Sequence, residues 1–468
     1  APRSSPVSSP SKMSDLGPLQ QIVSAIEAMS ETADGLKDLL AHLQKHDELL
    51  VKHLPQLDDL LPVLDPPRHT LGMVYILCAA APLPPRAPTL HLRLARSPLP
   101  RPRSNCKAAA IPLSNLQAAT VFLRQCRRVL LGSDPLQAKM LPAQYVAVCS
   151  KFSAAAVAIK APIAAVQPLL AAARALQPSP AHFTPMHADF LRMCLLAKTY
   201  HAAAPVLADD LLQVDKEATG VTPRDLLLYH YYAGMVHVGG KRFKAAIEAF
   251  TLCFSAPSTV LNAIMVEAYK KCLLCSLIEA GGPPRVPKYT ASPVQRHLKG
   301  GAKEYSEFAE AFGTLKLDKL RAKLEQHSAA FAKDHNLGLA KQCAEALVRR
   351  NIHRLTQTYL TLSLEHIKEA TSLGSAADAE RIIANMISSG EISAAIDEGA
   401  GMVHFIERPE QFDSTASVAH MEASLSKVVG LAQRLHEMHA TLATDPQYLS
   451  RVASQERQPK WDDGGDMK

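Results

Sequence analysis

Apolar residues along this chain recur three or four positions apart over most of its length, the spacing that lines one face of a helix. From Leu16 to Leu64, Ile22, Ile26, Leu36, Leu39, Leu40 and Leu43 predict two helices with a break around Ala33–Gly35. Patterning stops at residues 82–103, where seven prolines alternate with arginines and exclude regular helix or a central strand. Residues 82–112 are therefore expected to form an unstructured insertion, a solvated loop in preference to a basic ligand motif. The Ser/Pro-rich residues 1–15 are expected to be disordered.

Helical periodicity resumes near Leu116 and continues to about Leu362. The segments 116–131, 136–159, 162–177, 183–198, 202–213, 223–238, 242–256, 259–280 and 303–312 each have helical length and an apolar face. Turn formers separate them, among them Gly132–Ser133–Asp134–Pro135, Gly239–Gly240 and Gly281–Gly282–Pro283–Pro284. Helix pairs of this size in series predict an α-solenoid over residues 113–353. One repeat is readable residue by residue. Gly234 allows close approach of two helices, Ala246 fits the contact, Phe250 fills the space, Gly239–Gly240 turns the chain and Pro257 ends the second helix.

After Arg354 the pattern changes. Leu362–Leu373 and Ser375–Ser389 predict two helices around Gly374, with Ser375 as N-cap and Asp378 three residues on. Glu391–Ile396 and Met402–Ile406 are strand-like runs joined by the turn Asp397–Glu398–Gly399–Ala400–Gly401. Helix, helix and hairpin is the winged-helix order, placed here at residues 354–413. A last helix over about Ser417–Ala443 (bundle segment 414–443) carries Val418, Met421, Leu425, Val428, Ala432, Leu435 and Leu442 in heptad alternation, with Met438 beside the seam. His420, Glu422, Lys427, Gln433 and Arg434 occupy the opposite face, and a polar tail is expected over 444–468.

Composition supports an all-α chain: 47% of residues are hydrophobic, 20% charged and only 5% aromatic. The net charge of +7 suggests nucleic acid until it is located. Residues 80–108 hold Arg86, Arg93, Arg96, Arg101, Arg103 and Lys107 and no acid, which supplies six of the seven charges. Ser375–Glu398 has Arg381 alone against Asp378, Glu380, Glu391, Asp397 and Glu398, a net of −4 that a duplex would repel. The nine scattered cysteines, an odd number, fit reduced thiols. APRSSPVSSPSK lacks the apolar core of a secretory signal, and Met13 is one candidate start, an upstream extension the other. The longest uncharged apolar runs, such as Leu71–Pro82, are too short to cross a bilayer, so no membrane partner is expected.

Catalytic chemistry finds no support. The spacing His436-Glu437-Met438-His439 is one residue short of the His-Glu-x-x-His that sets zinc ligands a full turn apart, and no His-x-His occurs. Cys272-Leu273-Leu274-Cys275 lies within an apolar helix without a second pair, as buried structural thiols do. Gly-x-Ser-x-Gly and Walker loops are absent, and Gly239-Gly240-Lys241 is a turn. No catalytic, metal or cofactor site is expected.

A helical repeat running directly into a winged helix resembles the PCI-domain family, found in the proteasome lid, the signalosome and a translation initiation factor. HADFLRMCLLAKTYHAAAPVL (187–207), YHYYAGMVHVGGKRFKAAIEAF (229–250), VPKYT (286–290), RLTQTYLTLSLEHI (354–367) and GMVHF (401–405) resemble, more narrowly, the third subunits of the COP-nine signalosome. The likeness covers roughly 115–450, and 16–80 more weakly; the insertion at 82–112 departs from it. It implies a non-catalytic scaffold of a complex that removes a ubiquitin-like modifier from cullins, the isopeptidase being another subunit; a location in the cytoplasm and nucleus is expected from the reduced thiols and the lack of a secretory signal. Implied partners are other PCI-domain subunits in a hetero-oligomer, and cullin-RING ligases through the complex; no nucleic acid is implied. The expected assembly interface is Val418, Met421, Leu425, Val428, Leu435 and Leu442 on the last helix, with Ile392, Ile396, Val403 and Phe405 on the wing. The same architecture also fits a proteasome-lid subunit or a nucleic-acid-binding PCI protein of the messenger-RNA export type.

Overall fold

The computed structural model describes residues 17–30, 33–46, 61–62, 64–80, 113–209, 211, 213–258, 260–298, 300–397, 399–406 and 414–456. The 1–15 and 82–112 segments and the tail beyond 456 lie outside them. Helices Gly17–Met29, Ala33–Lys45 and Pro66–Ala80 open the chain. Ile26 is fully buried, and Gly72 of the third helix lies so close to it that a methyl there would meet its side chain at 2.8 Å.

Stacked helices then run from Leu113–Gly132 to Leu337–Thr356. The pair Pro223–Gly239 and Phe243–Ser255 shows why they stack. Thr222 and Asp225 form a reciprocal cap: the Asp225 N–H donates to Thr222 Oγ1 at 3.4 Å, and the Thr222 hydroxyl donates to the Asp225 carboxylate at 2.6 Å. Ala246 and Phe250 are fully buried, and a methyl at Gly234 would stand 2.5 Å from Phe250 Cε1. The Gly…Ala…Phe arrangement expected from the sequence is present. The turn differs from expectation: Lys241, not glycine, takes the left-handed conformation (φ 57°). Gly239 is small for another reason, since a Cβ there would lie 2.7 Å from the Tyr200 ring.

Three further boundaries depart from the periodicity. The expected 136–159 helix is two, Pro135–Met140 and Pro142–Ala158, because Pro142 drives Leu141 out of helical geometry (φ −126°, ψ 55°). The expected 202–213 helix shrinks to a 3₁₀ turn at Tyr200–Ala203 and Ala204–Ala208. Gln213 instead bridges to 181–183, where the Phe183 N–H donates to the Gln213 carbonyl at 2.8 Å. Beyond 312, the helices Leu317–Gln326, Ser328–Lys333 and Leu337–Thr356 carry the stack to the winged helix.

A buried polar cluster joins the last repeats. From helix Ala263–Glu279, Lys270 Nζ donates to Asp334 at 2.7 Å and to Glu267 at 3.1 Å. Lys271 Nζ donates to Asn336 Oδ1 at 3.0 Å, and the Tyr305 hydroxyl donates to Asp334 at 3.1 Å. Lys271 is buried, and that desolvation holds its ammonium below the usual lysine range.

The winged helix comprises β1 (Thr361–Ser363), helices Leu364–Thr371 and Ala376–Ser388, β2 (Ala394–Asp397) and β3 (Met402–Phe405). Its antiparallel sheet has the order β1-β3-β2, with Leu362 and Ile396 both opposite Val403. β1 takes residues that helical spacing assigns to the following helix. Ladder partners on β3 extend them, and Ser363 Oγ then accepts the His366 N–H at 3.3 Å as the N-cap. The hairpin turns as expected: Asp397 Oδ1 accepts from the Gly399 and Ala400 N–H groups at 3.0 and 3.2 Å, and Gly401 has φ 63°.

Candidate assembly surface

The last helix spans Thr415–Thr444, with Ser414 Oγ accepting the Ser417 N–H at 3.2 Å as its cap. Thirty residues at 1.5 Å each make a rod of about 45 Å. No residue of this rod is buried. Val418, Met421, Leu425, Val428, Leu435 and Leu442 line one seam, all about half exposed or more, with Leu425 at 66% and Leu435 at 69%. Val429, Leu431 and Met438, also about half exposed, widen the seam into a band, of which the heptad spacing predicts Met438 alone. At this exposure the stripe leaves unrecovered much of the about 1.5–3 kcal/mol that burying each large apolar side chain releases. A second helix, Pro446–Glu456, stands where a polar tail is expected; Asp445 Oδ1 accepts the Gln447 N–H at 2.9 Å at its start, and Tyr448 and Leu449 add exposed apolar surface.

The wing corrects part of the expected interface. Ile392 and Val403 are buried and Phe405 nearly so, within the core that includes Ile367, Ile383 and Met386. β3, which carries Val403 and Phe405, is the central strand, so these two side chains pack within the wing's own domain. Ile396, on edge strand β2, is half-buried. Edge pairing at β2 would use its backbone. The exposed apolar residues are instead Tyr359, Leu360 and Ile406. Leu360 and Ile406 rim a cleft of about 250 Å³ with His353, Thr356, Gly390, Glu391, Ile392, Ser393 and Phe405. Ile406 ends the run Met402–Ile406 expected as a strand, whereas spacing gives no signal for Tyr359 and Leu360, which precede a strand too short to show alternation.

On the wing, Arg381 is paired with Asp378 at 3.0 Å, and Arg349 from the preceding helix pairs with Glu391 at 3.2 Å. Cys272 and Cys275 are buried; desolvation pushes the Cys272 thiol up to about 12 and raises Cys275 as well, away from the reactive thiolate. Among the described residues no three His, Cys, Asp or Glu side chains gather as metal ligands, and no helix is long and apolar enough to cross a membrane.

A helical repeat feeding a three-stranded winged helix is the architecture of PCI-domain proteins, and the PCI domain model matches residues 324–407. The model described as COP9 signalosome complex subunit 3, N-terminal helical repeats, matches residues 33–97 and 104–294. The unmatched stretch between, 98–103, is short: the model also matches 82–97 and 104–112, most of the segment expected to depart from the family, which corrects that expectation. The chain is 34% identical over 456 residues to COP9 signalosome complex subunit 3 of Arabidopsis thaliana, covering 96% of each chain. It is 32% identical over 431 residues to that of Dictyostelium discoideum, covering 92% of this chain and 94% of the relative. This chain belongs to the COP9 signalosome subunit 3 family.

Proposed function

We propose that this chain is a non-catalytic scaffold subunit of a signalosome, the complex that removes a ubiquitin-like modifier from cullins and so regulates cullin-RING ligases. One observation carries the role: a capped helix of 30 residues presents an apolar band with no buried position. That band and its continuation to Glu456 join a bundle with the terminal helices of other PCI-domain subunits. The β2 edge pairs with a neighbouring wing through its backbone, and the repeats space these contacts. Cullin-RING ligases are met through the complex, in the cytoplasm and nucleus. The domain limits follow this division of labour: N-terminal helices 16–81, repeat 113–353, winged helix 354–413 and bundle segment from 414.

The test is a cullin conjugate of the modifier offered to the purified chain and to the complex isolated through it. The chain alone leaves the conjugate intact and the complex cleaves it. Removing residues 414–456 leaves a folded chain that no longer retrieves the activity. Cleavage by the chain alone refutes the non-catalytic role, and retrieval by the shortened chain refutes the bundle.

A further inference from the structure

A second unpartnered surface lies on the repeat, far along the sequence from the last helix. Between Glu279 and Glu304 the chain has no acid, but it holds Arg285, Lys288, Arg296, Lys299 and Lys303. Arg285, Lys288, Arg296 and Lys303 are exposed, and among the described residues none forms an ion pair. In the turn Pro287–Thr290, Tyr289 is 72% exposed.

The loop that presents it is held at both ends. Ser276 Oγ donates to the Gly282 carbonyl at 2.7 Å, and Gln295 Nε2 donates to the Thr290 carbonyl at 2.8 Å. The Thr290 N–H closes a turn on the Pro287 carbonyl at 3.1 Å, with Thr290 itself buried. Pro283, Pro284 and Pro287 fix three φ angles between these anchors. A tyrosine on a pre-ordered turn loses little entropy on docking, and Tyr with Arg is the composition of protein-interface anchors.

We propose that the Pro287–Thr290 turn docks Tyr289 into a slot on another protein whose rim is acidic, with Arg285 and Lys288 pairing to the rim carboxylates. Single-stranded nucleic acid fits less well, because it needs successive stacking rings. The next aromatic along this segment, Tyr305, is fully buried.

The test is Tyr289→p-benzoylphenylalanine in the complex purified through this chain, irradiated and mapped by mass spectrometry. The expected cross-link joins position 289 to one segment of another subunit with net negative charge. Arg285→Glu with Lys288→Glu cuts its yield about tenfold, the effect of roughly 1.4 kcal/mol. Loss of co-purification by that pair, with the free chain melting as before, is equally supportive. Cross-links confined to this chain, to neutral or basic segments or to RNA overturn the proposal, as does a yield indifferent to charge reversal. Replacing the C-terminal seam leaves this surface intact, so each can fail alone.

Discussion

Leu425→Asp with Leu435→Asp separates a helix waiting for partners from one that merely lies on the surface. In the free chain both side chains are about two-thirds exposed, at 66% and 69%. Exposed substitutions cost about 0.5 kcal/mol or less, and aspartate's poorer helix propensity adds at most about 0.7 kcal/mol per site. The Thr415–Thr444 helix buries nothing, so this local cost does not reach the core. In a bundle the same sites behave differently. Two leucines each forfeit about two-thirds of the roughly 1.5–3 kcal/mol of full burial, together about 2–4 kcal/mol. Two carboxylates placed against apolar surface add several kcal/mol more unless they escape to water. A total above about 4 kcal/mol weakens association at least a thousandfold. Co-purification of the other subunits from cells and thermal melting of the isolated chain read the two halves. The expected result is loss of the complex at an unchanged melting temperature. Lys427→Asp, the same charge on the opposite face, leaves assembly intact. Normal co-purification of the double variant, or a melting temperature lowered by more than a few degrees, refutes the reasoning; the second outcome would show the stripe already packed at home.

Gly234→Ala gains about 1 kcal/mol of helix propensity but places a methyl 2.5 Å from Phe250 Cε1, and Phe250 is fully buried. Overpacking of about 1–3 kcal/mol or more wins, so the chain melts earlier, and Phe250→Leu in the same chain recovers part of the loss. Asp334→Ala removes an acceptor shared by Lys270 and Tyr305 in the buried cluster, and a loss of about 3–5 kcal/mol should appear in the urea midpoint. His187 is buried, its Nδ1 accepts the Thr184 N–H at 3.0 Å, and burial lowers its pKa from 6.5 to about 4. The unfolded chain therefore binds a proton that the folded one refuses, and stability falls as pH drops from about 6.5 toward 4, by up to about 3 kcal/mol from this group. His230, lowered likewise to about 4, adds to the slope. His187→Asn keeps an acceptor for the Thr184 N–H and flattens the urea midpoint against pH; an unchanged slope contradicts the assignment.

What the chain order of residues determined by itself is local or periodic. Helical spacing marks the repeats, Gly234 with Phe250 marks their packing, Ser375 and Asp378 cap a helix, and Asp397–Gly401 turns a hairpin. Each acts within one turn of helix or a short span of chain, where sterics and hydrogen bonding need no distant partner. The heptad stripe from Val418 to Leu442 is legible for the same reason.

Tertiary structure decided what depends on the far side of a contact. Thr361–Ser363 becomes a strand because β3 lies beside it, three residues being too few to show a period. Val403 and Phe405 read as an exposed alternating strand until the sheet order places them at its centre. Lys270, Lys271, Asp334 and Asn336 lie more than 60 residues apart across the cluster, and only the fold brings their charges and amide together. A hydrophobic stripe states that something must cover it; whether the same chain does so depends on which surfaces the fold brings near it, and among the described residues no position of the Thr415–Thr444 helix is buried.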